Sequence, residues 1–465
     1  MFTRRNLGIG RIALGRIAVS LAVTVLACAS FARASATLFL EEPYGKLGFF
    51  TATGHAAVYL SGVCADSPLV LRRCAPGETG VVIARYNGVG GYDWVAIPLI
   101  PYLYAVDHAE DIPLFADAKM VASLRDRYRR RRLEDVIPDK NGETPGETPG
   151  GNWYELVGSS YDRTIYGFEI ATTPTQDLAL IRKLNTSPNQ SHFSTVARNC
   201  ADFAKDIINF YYPKALHRSV VADVGITTPK QMAKMLVRYD HRHPQIHYSR
   251  LVIAQVPGSM PRSFAVHGVV ESFFKSKKYI VPSAVASPIF AGCVFAVYLG
   301  SGAGRFEPAR DALVFDPDSA PARPLGREDQ RAYQHELKDL LAESDSAPSG
   351  QKIDRAWSKL QSKATVDFDD DGRPVLEMEI DGRIVRVGAT AGNVLNGNAP
   401  PELVRELLEA RLQSELRGKA PRGISENEVV RDWTLLQQTI SESDSPLTAH
   451  SAPHIESNNL DGPQP

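Results

Sequence analysis

The chain has 465 residues, and its 52 Lys and Arg nearly balance 53 Asp and Glu. That length fits two or three folding units, and 43% hydrophobic content is ordinary for a globular protein. The balance hides an asymmetry: residues 301–465 hold 19 basic and 29 acidic residues, whereas residues 1–300 hold 33 and 24. No arginine-rich groove interleaved with aromatics is evident, which argues against nucleic acid as a partner.

The opening "MFTRRNLGIGRIALGR" is basic, the following "IAVSLAVTVLACASFA" is apolar, and small residues close it in "ARASA". This pattern reads as an export signal over residues 1–36, cleaved after Ala36. "TRRNL" also fits a twin-arginine signal, and "VLAC" around Cys28 fits a lipoprotein site; each gives an exported protein of a cell envelope, periplasmic or membrane-attached.

From residue 43 short apolar runs alternate with glycine turns. "HAAVYL" and "VVIARYN" read as strands, since β-branched and aromatic residues lie between glycines. A basic helix is expected over 119–133 and an exposed loop at "NGETPGETPG". "NWYELVG" and "RTIYGFEIATT" read as a strand pair. Thr173, Pro174 and Gln176 open a helix with a capping box, and "TTPKQMAKML" repeats the device. The fold class expected is α+β, with an antiparallel sheet packed against helices over residues 43–250.

Residues 279–304 contain no charge. About 20 apolar residues cross a bilayer, yet Pro282 and Pro288 interrupt this run. A span would also leave "KSKK" (275–278) outside, against the positive-inside tendency. A transmembrane helix, a membrane-dipping segment and a buried hairpin all remain open for the hydrophobic segment 251–304. Beyond it, 305–440 reads as a small acidic α+β region, with helices near 327–343, 401–417 and 425–440. Its hairpin turns at "DDDG", where Met378 replaces the acid a calcium loop needs at its last ligand position. Residues 441–465 read as a disordered tail.

Four cysteines follow the signal. Cys64 and Cys74 flank "ADSPLVLRR" and suit a local disulfide in an oxidising compartment, leaving Cys200 free. No Cys-x-x-Cys pair occurs, and "HRHPQIH" (241–247) lacks helical zinc spacing, so no metal or cofactor is implied. Cys200 follows Asn199, a good helix cap, with Asp202 completing a capping box. It therefore sits in the first turn of an amphipathic helix, where free N–H groups and the dipole favour a thiolate. Among the histidines, His55 is best placed as its base, opening a strand straight after Gly54.

"GHAAVYL" followed by "NCADF" at a helix start resembles the circularly permuted papain-like domains of the NlpC/P60 superfamily, and in motif order the lecithin–retinol acyltransferase group. The closest pattern, with "RYNG" between them, is that of the bacterial envelope family known as domain of unknown function 4105. The resemblance covers roughly residues 43–235. It implies Cys200 as nucleophile and His55 as base. Asn87 of "RYNG" stands where a third polar residue would orient the imidazole; the acyltransferases carry a second histidine there, which this chain lacks. The function expected is an exported thiol hydrolase, amidase- or peptidase-like, acting on an envelope peptide or acyl substrate. A non-catalytic, membrane-associated binding protein and a lipid acyltransferase are the alternatives.

Overall fold

The computed structural model describes residues 34–44, 53–138, 153–343, 365–380, 383–388, 390, 411–412, 424–425 and 427–432. Residues 1–33 of the expected signal (1–36), the "NGETPGETPG" stretch expected as a loop and residues 441–465 expected as a tail lie outside them.

Seven strands form the main sheet: β1 (Ser35–Glu41), β2 (His55–Leu60), β5 (Val81–Ala84), β6 (Val95–Pro98), β7 (Ile165–Ala171), β8 (Ser249–Ile253) and β9 (Leu313–Val314). Their spatial order is β6-β5-β2-β1-β7-β8-β9, antiparallel except for the β8–β9 pair. β3 (Val63–Ser67) and β4 (Val70–Arg73) form a separate hairpin tied by the Cys64–Cys74 disulfide. The sheet thus takes in residues on both sides of the expected 43–250 unit. β1 is the central strand of the order, and Ala36 is paired with Leu60 and Ile170 and is fully buried. The expected cleavage after Ala36 would fall inside this strand, after its first two residues.

Because strand side chains alternate, each face of the sheet carries its own core. Phe39, Ala57, Val82, Ala84 and Ile97 pack on one face against α1 (Leu99–Tyr104), α2 (Ala118–Arg132) and the segment around Trp153–Tyr161. Leu38, Leu40, Ala56, Val58 and Ile83 pack on the other against α4 (Pro174–Thr186), α5 (Cys200–Tyr211) and α6 (Pro229–Asp240). The short α3 (Ser159–Asp162) belongs to the first face. "NWYELVG" is no strand: Trp153–Leu156 forms a 3-10 turn, in which Trp153 and Leu156, three apart, are buried together.

After β8 come three short helices, α7 (Val269–Lys275), α8 (Lys277–Ala286) and α9 (Pro288–Ser301). Among the described residues no helix is long and apolar enough to cross a membrane. In the acidic region α10 (Arg327–Glu343) precedes a sheet of β10 (Thr365–Phe368), β11 (Pro374–Ile380) and β12 (Arg383–Gly388). "DDDG" forms the β10–β11 turn: Asp369 Oδ1 accepts the Arg373 N–H at 2.7 Å, and Gly372 takes φ +85°.

Candidate functional site

Cys200 opens α5, as its sequence context requires. Asn199 is extended, its Oδ1 accepts the Asp202 N–H at 2.9 Å, and Asp202 Oδ2 returns a bond to the Asn199 N–H at 3.4 Å. This capping box is buried, and it is braced from outside the helix. Asp202 Oδ1 accepts from Thr227 Oγ1 (2.6 Å), Lys205 Nζ (3.1 Å) and Arg218 Nη2 (3.0 Å), while Asn199 Nδ2 donates to Thr227 O. Burial pushes the Asp202 carboxyl up, but those hydrogen bonds and the Lys205 charge outweigh it and leave the pKa below the usual range. The start of α5 is therefore held rigidly against the sheet.

His55 is the first residue of β2. Gly54 before it has φ +71°, and a Cβ there would stand 2.0 Å from the Glu41 carbonyl oxygen. Only glycine lets the chain enter β2 this close to β1. In the β1–β2 register His55 lies directly opposite Glu41, so both side chains project from the same face. Tyr86 stacks on the imidazole with ring centroids 4.9 Å apart.

Around Glu41 lies a buried polar cluster. Tyr102 donates to Glu41 Oε1, Arg163 Nη1 stands 3.2 Å from Oε2, and the Arg163 guanidinium also lies 4.4 Å over the Tyr44 ring. Burial pushes the Glu41 carboxyl up against the pull of Arg163 and Tyr102, and burial does the same to Glu155 nearby. Tyr86 Oη donates to the Glu155 carbonyl at 3.3 Å. Burial, with a smaller contribution from the Arg163 charge, lowers the His55 pKa to about 3. The imidazole is thus neutral near neutral pH, and its Nε2 is buried with no hydrogen-bond partner.

Cys200 and His55 come to the same end of β2 but from different sides. α5 packs on the face that carries Ala56, whereas His55 shares the opposite face with Glu41. β5 pairs with β2 only at Val58–Leu60, so the first residues of β2 leave that neighbour, and the Ala56 N–H is turned to the Cys200 sulfur instead. Among the described residues no hydrogen bond joins the sulfur to the imidazole. The thiol also departs from the sequence expectation. Burial pushes its pKa up to about 11, outweighing the Ala56 and Ala201 N–H groups, with the Glu155 and Glu41 charges adding to the rise. The helix N-terminus is present, but desolvation of the sulfur is the larger effect.

Asn87 is not brought to the imidazole. β5 ends at Ala84, and Asn87 lies beyond it, exposed, where the following Gly88 and Gly90 take positive φ and bend the chain away. Tyr86, one residue earlier, is the group that meets His55. Glu41, Tyr86, Tyr102 and Arg163 were not singled out from sequence. One signal for them was available: "SATLFLEE" ends an otherwise buried strand on carboxylates, and a buried carboxylate needs a partner. Near residues 241–247, His243 stacks on Tyr239 at 4.1 Å and no metal-ligand cluster forms; among the described residues the one such grouping is Cys64, Cys74 and Glu78, whose sulfurs are bonded to each other. No protein-family model matches the chain, and no curated protein or solved structure gives a significant match.

Proposed function

We propose that this chain is an exported thiol hydrolase with a permuted papain-like core, akin to domain of unknown function 4105, acting on an amide or ester of an envelope peptide or acyl group. The observation that carries this reading is the meeting of Cys200, at a braced helix start, with the His55–Ala56 end of β2 beside a buried polar cluster. The chemistry follows from the charge states. Thiol and imidazole are both neutral, so no thiolate–imidazolium pair exists at rest, and the base must act during attack. The S–H proton passes to a neutral imidazole nitrogen of His55 as sulfur bonds to the carbonyl carbon. The Ala56 and Ala201 N–H groups that face the sulfur receive the oxyanion. Collapse breaks the carbonyl bond to the leaving amine or alkoxide, which takes the proton from His55, and water then hydrolyses the thioester. Binding of substrate must close the sulfur–imidazole contact, as catalytic hydrogen bonds often tighten only in the complex.

A second reading is a non-catalytic binding module, favoured by the missing sulfur–imidazole bond and the raised thiol. Intact-mass analysis after incubation with p-nitrophenyl acetate at neutral pH separates the two. The hydrolase account expects an acetyl adduct on the Cys200 peptide that is lost in Cys200→Ser and decays with time. A chain that stays unmodified while an ordinary thiol peptide is acetylated contradicts it.

A further inference from the structure

Helices α8 and α9 show an apolar surface that is left uncovered among the described residues. Residues 279–304 carry no charge, and no residue of either helix is buried. Their inner side is occupied by aromatic contacts from α7: Phe273 stacks on Tyr279 at 6.0 Å, and Phe274 meets Phe295 at 5.4 Å and Tyr298 at 4.7 Å. Their outer side holds Val285 and Ile289, each 81% exposed, with Leu299 at 56%, while Phe290 meets Phe273 edge-on at 5.9 Å and is still half exposed. A helix that is apolar all round belongs in a protein core or in lipid. Sequence alone left a span open, but the break at Ser287 divides the run into helices of 10 and 14 residues. The longer one rises about 21 Å, short of a hydrocarbon core about 30 Å thick but more than the depth of one leaflet.

The charges that directly flank the two helices in the chain are basic, and the next acid, Glu307, is held by Arg310. Lys277 and Lys278 begin α8, Arg305 follows α9, and all three are exposed. Lys277 and Lys278 have no acidic partner among the described residues. The unit is fixed to the body by buried polar contacts, Lys230 to Glu271 at 2.7 Å and Lys234 Nζ to the Ser301 carbonyl at 2.7 Å. We propose that α8 and α9 seat in one leaflet of a bilayer bearing anionic headgroups, with Val285, Ile289 and Leu299 among the acyl chains and Lys277, Lys278 and Arg305 at the phosphates. A second copy docked through the same patch by a two-fold axis would set these basic rims against each other; anionic lipid complements them. The inference stands apart from the chemistry at Cys200.

The test uses the full chain with Cys28→Ser and Cys200→Ser, so that Cys293, exposed on α9, is the one free thiol and carries an environment-sensitive NBD label. Vesicles of phosphatidylcholine are compared with and without phosphatidylglycerol. On the anionic vesicles the label shifts to the blue and is quenched by nitroxide on the lipid acyl chains. Lys277→Glu with Lys278→Glu weakens that response by about tenfold or more, and Ile289→Asp abolishes it. These side chains are exposed, so far-UV circular dichroism stays as in the parent. A label that remains in water while the chain pellets with vesicles places the lipid contact elsewhere and overturns the proposal. So does a blue shift that needs no vesicles and grows with protein concentration, which assigns the surface to a second copy.

Discussion

At the scale of single residues the site is governed by burial. Cys200 lies where a helix N-terminus and two backbone N–H groups favour an anion, yet desolvation holds its thiol near pKa 11. The same cause holds His55 near 3, so proton transfer between them starts from two neutral groups, as in a hydroxyl nucleophile with its base. This has a kinetic signature. The rate of Cys200 alkylation by iodoacetamide, an electrophile with no carbonyl for the site to polarise, follows the thiolate fraction. It should be slow at neutral pH, rise about tenfold per pH unit, and level only near the raised pKa; mass spectrometry of the Cys200 peptide over a pH series measures it. A plateau at or below pH 8 would mean a preformed thiolate and would refute the neutral-pair account.

At the scale of elements, the start of α5 is the part whose position matters most. Asn199 and Asp202 were legible in sequence as a cap because the pattern is local, with donors and acceptors three residues apart. The bracing by Thr227 and Arg218 was not legible, because those residues come from a segment that reaches Asp202 only in the folded chain. Asp202 is held below its ordinary pKa, so its contribution to stability is present above the unfolded-chain value near 4 and fades as pH falls through the lower folded value. Asp202→Asn should cost about 1–3 kcal/mol at neutral pH, the price of a broken buried network. Thermal unfolding should show the gap to the parent narrowing on acidification. A gap that stays constant with pH would mean the carboxylate charge does not matter.

On the scale of the whole molecule, the sheet order explains both what sequence reached and what it missed. The strands β2, β5 and β7 and the helices α2, α4, α5 and α6 follow from alternation, helical spacing and caps, all of which are local. The Cys64–Cys74 pairing followed from closeness in the chain, and the structure has it. Asn87 was assigned to the site by its place in a short motif, but a motif does not say where its strand stops; β5 ends at Ala84 and the glycines after Asn87 turn it outward. Likewise Glu41, Tyr102 and Arg163 come from three separate parts of the chain, and only the pairing of β1 with β7, which Arg163 precedes, together with α1 gathers them. The uncharged segment, whose length alone allowed a span, is divided by Ser287 into two helices, a break set by the flanking Pro288.

That same topology makes the central claim testable, because it sets the His55–Ala56 end of β2, from the start of the sheet, against a cysteine from a helix far along the sequence. The most direct measurement is the rate at which p-nitrophenyl acetate acylates Cys200 at neutral pH in His55→Ala compared with the parent, with iodoacetamide alkylation of the same thiol as the control. General-base assistance is worth on the order of 10²–10⁴-fold, so the account predicts a loss of at least about a hundredfold in acylation while alkylation changes little. Equal acylation rates in the two proteins would contradict it and leave Cys200 as a packed thiol in a binding module.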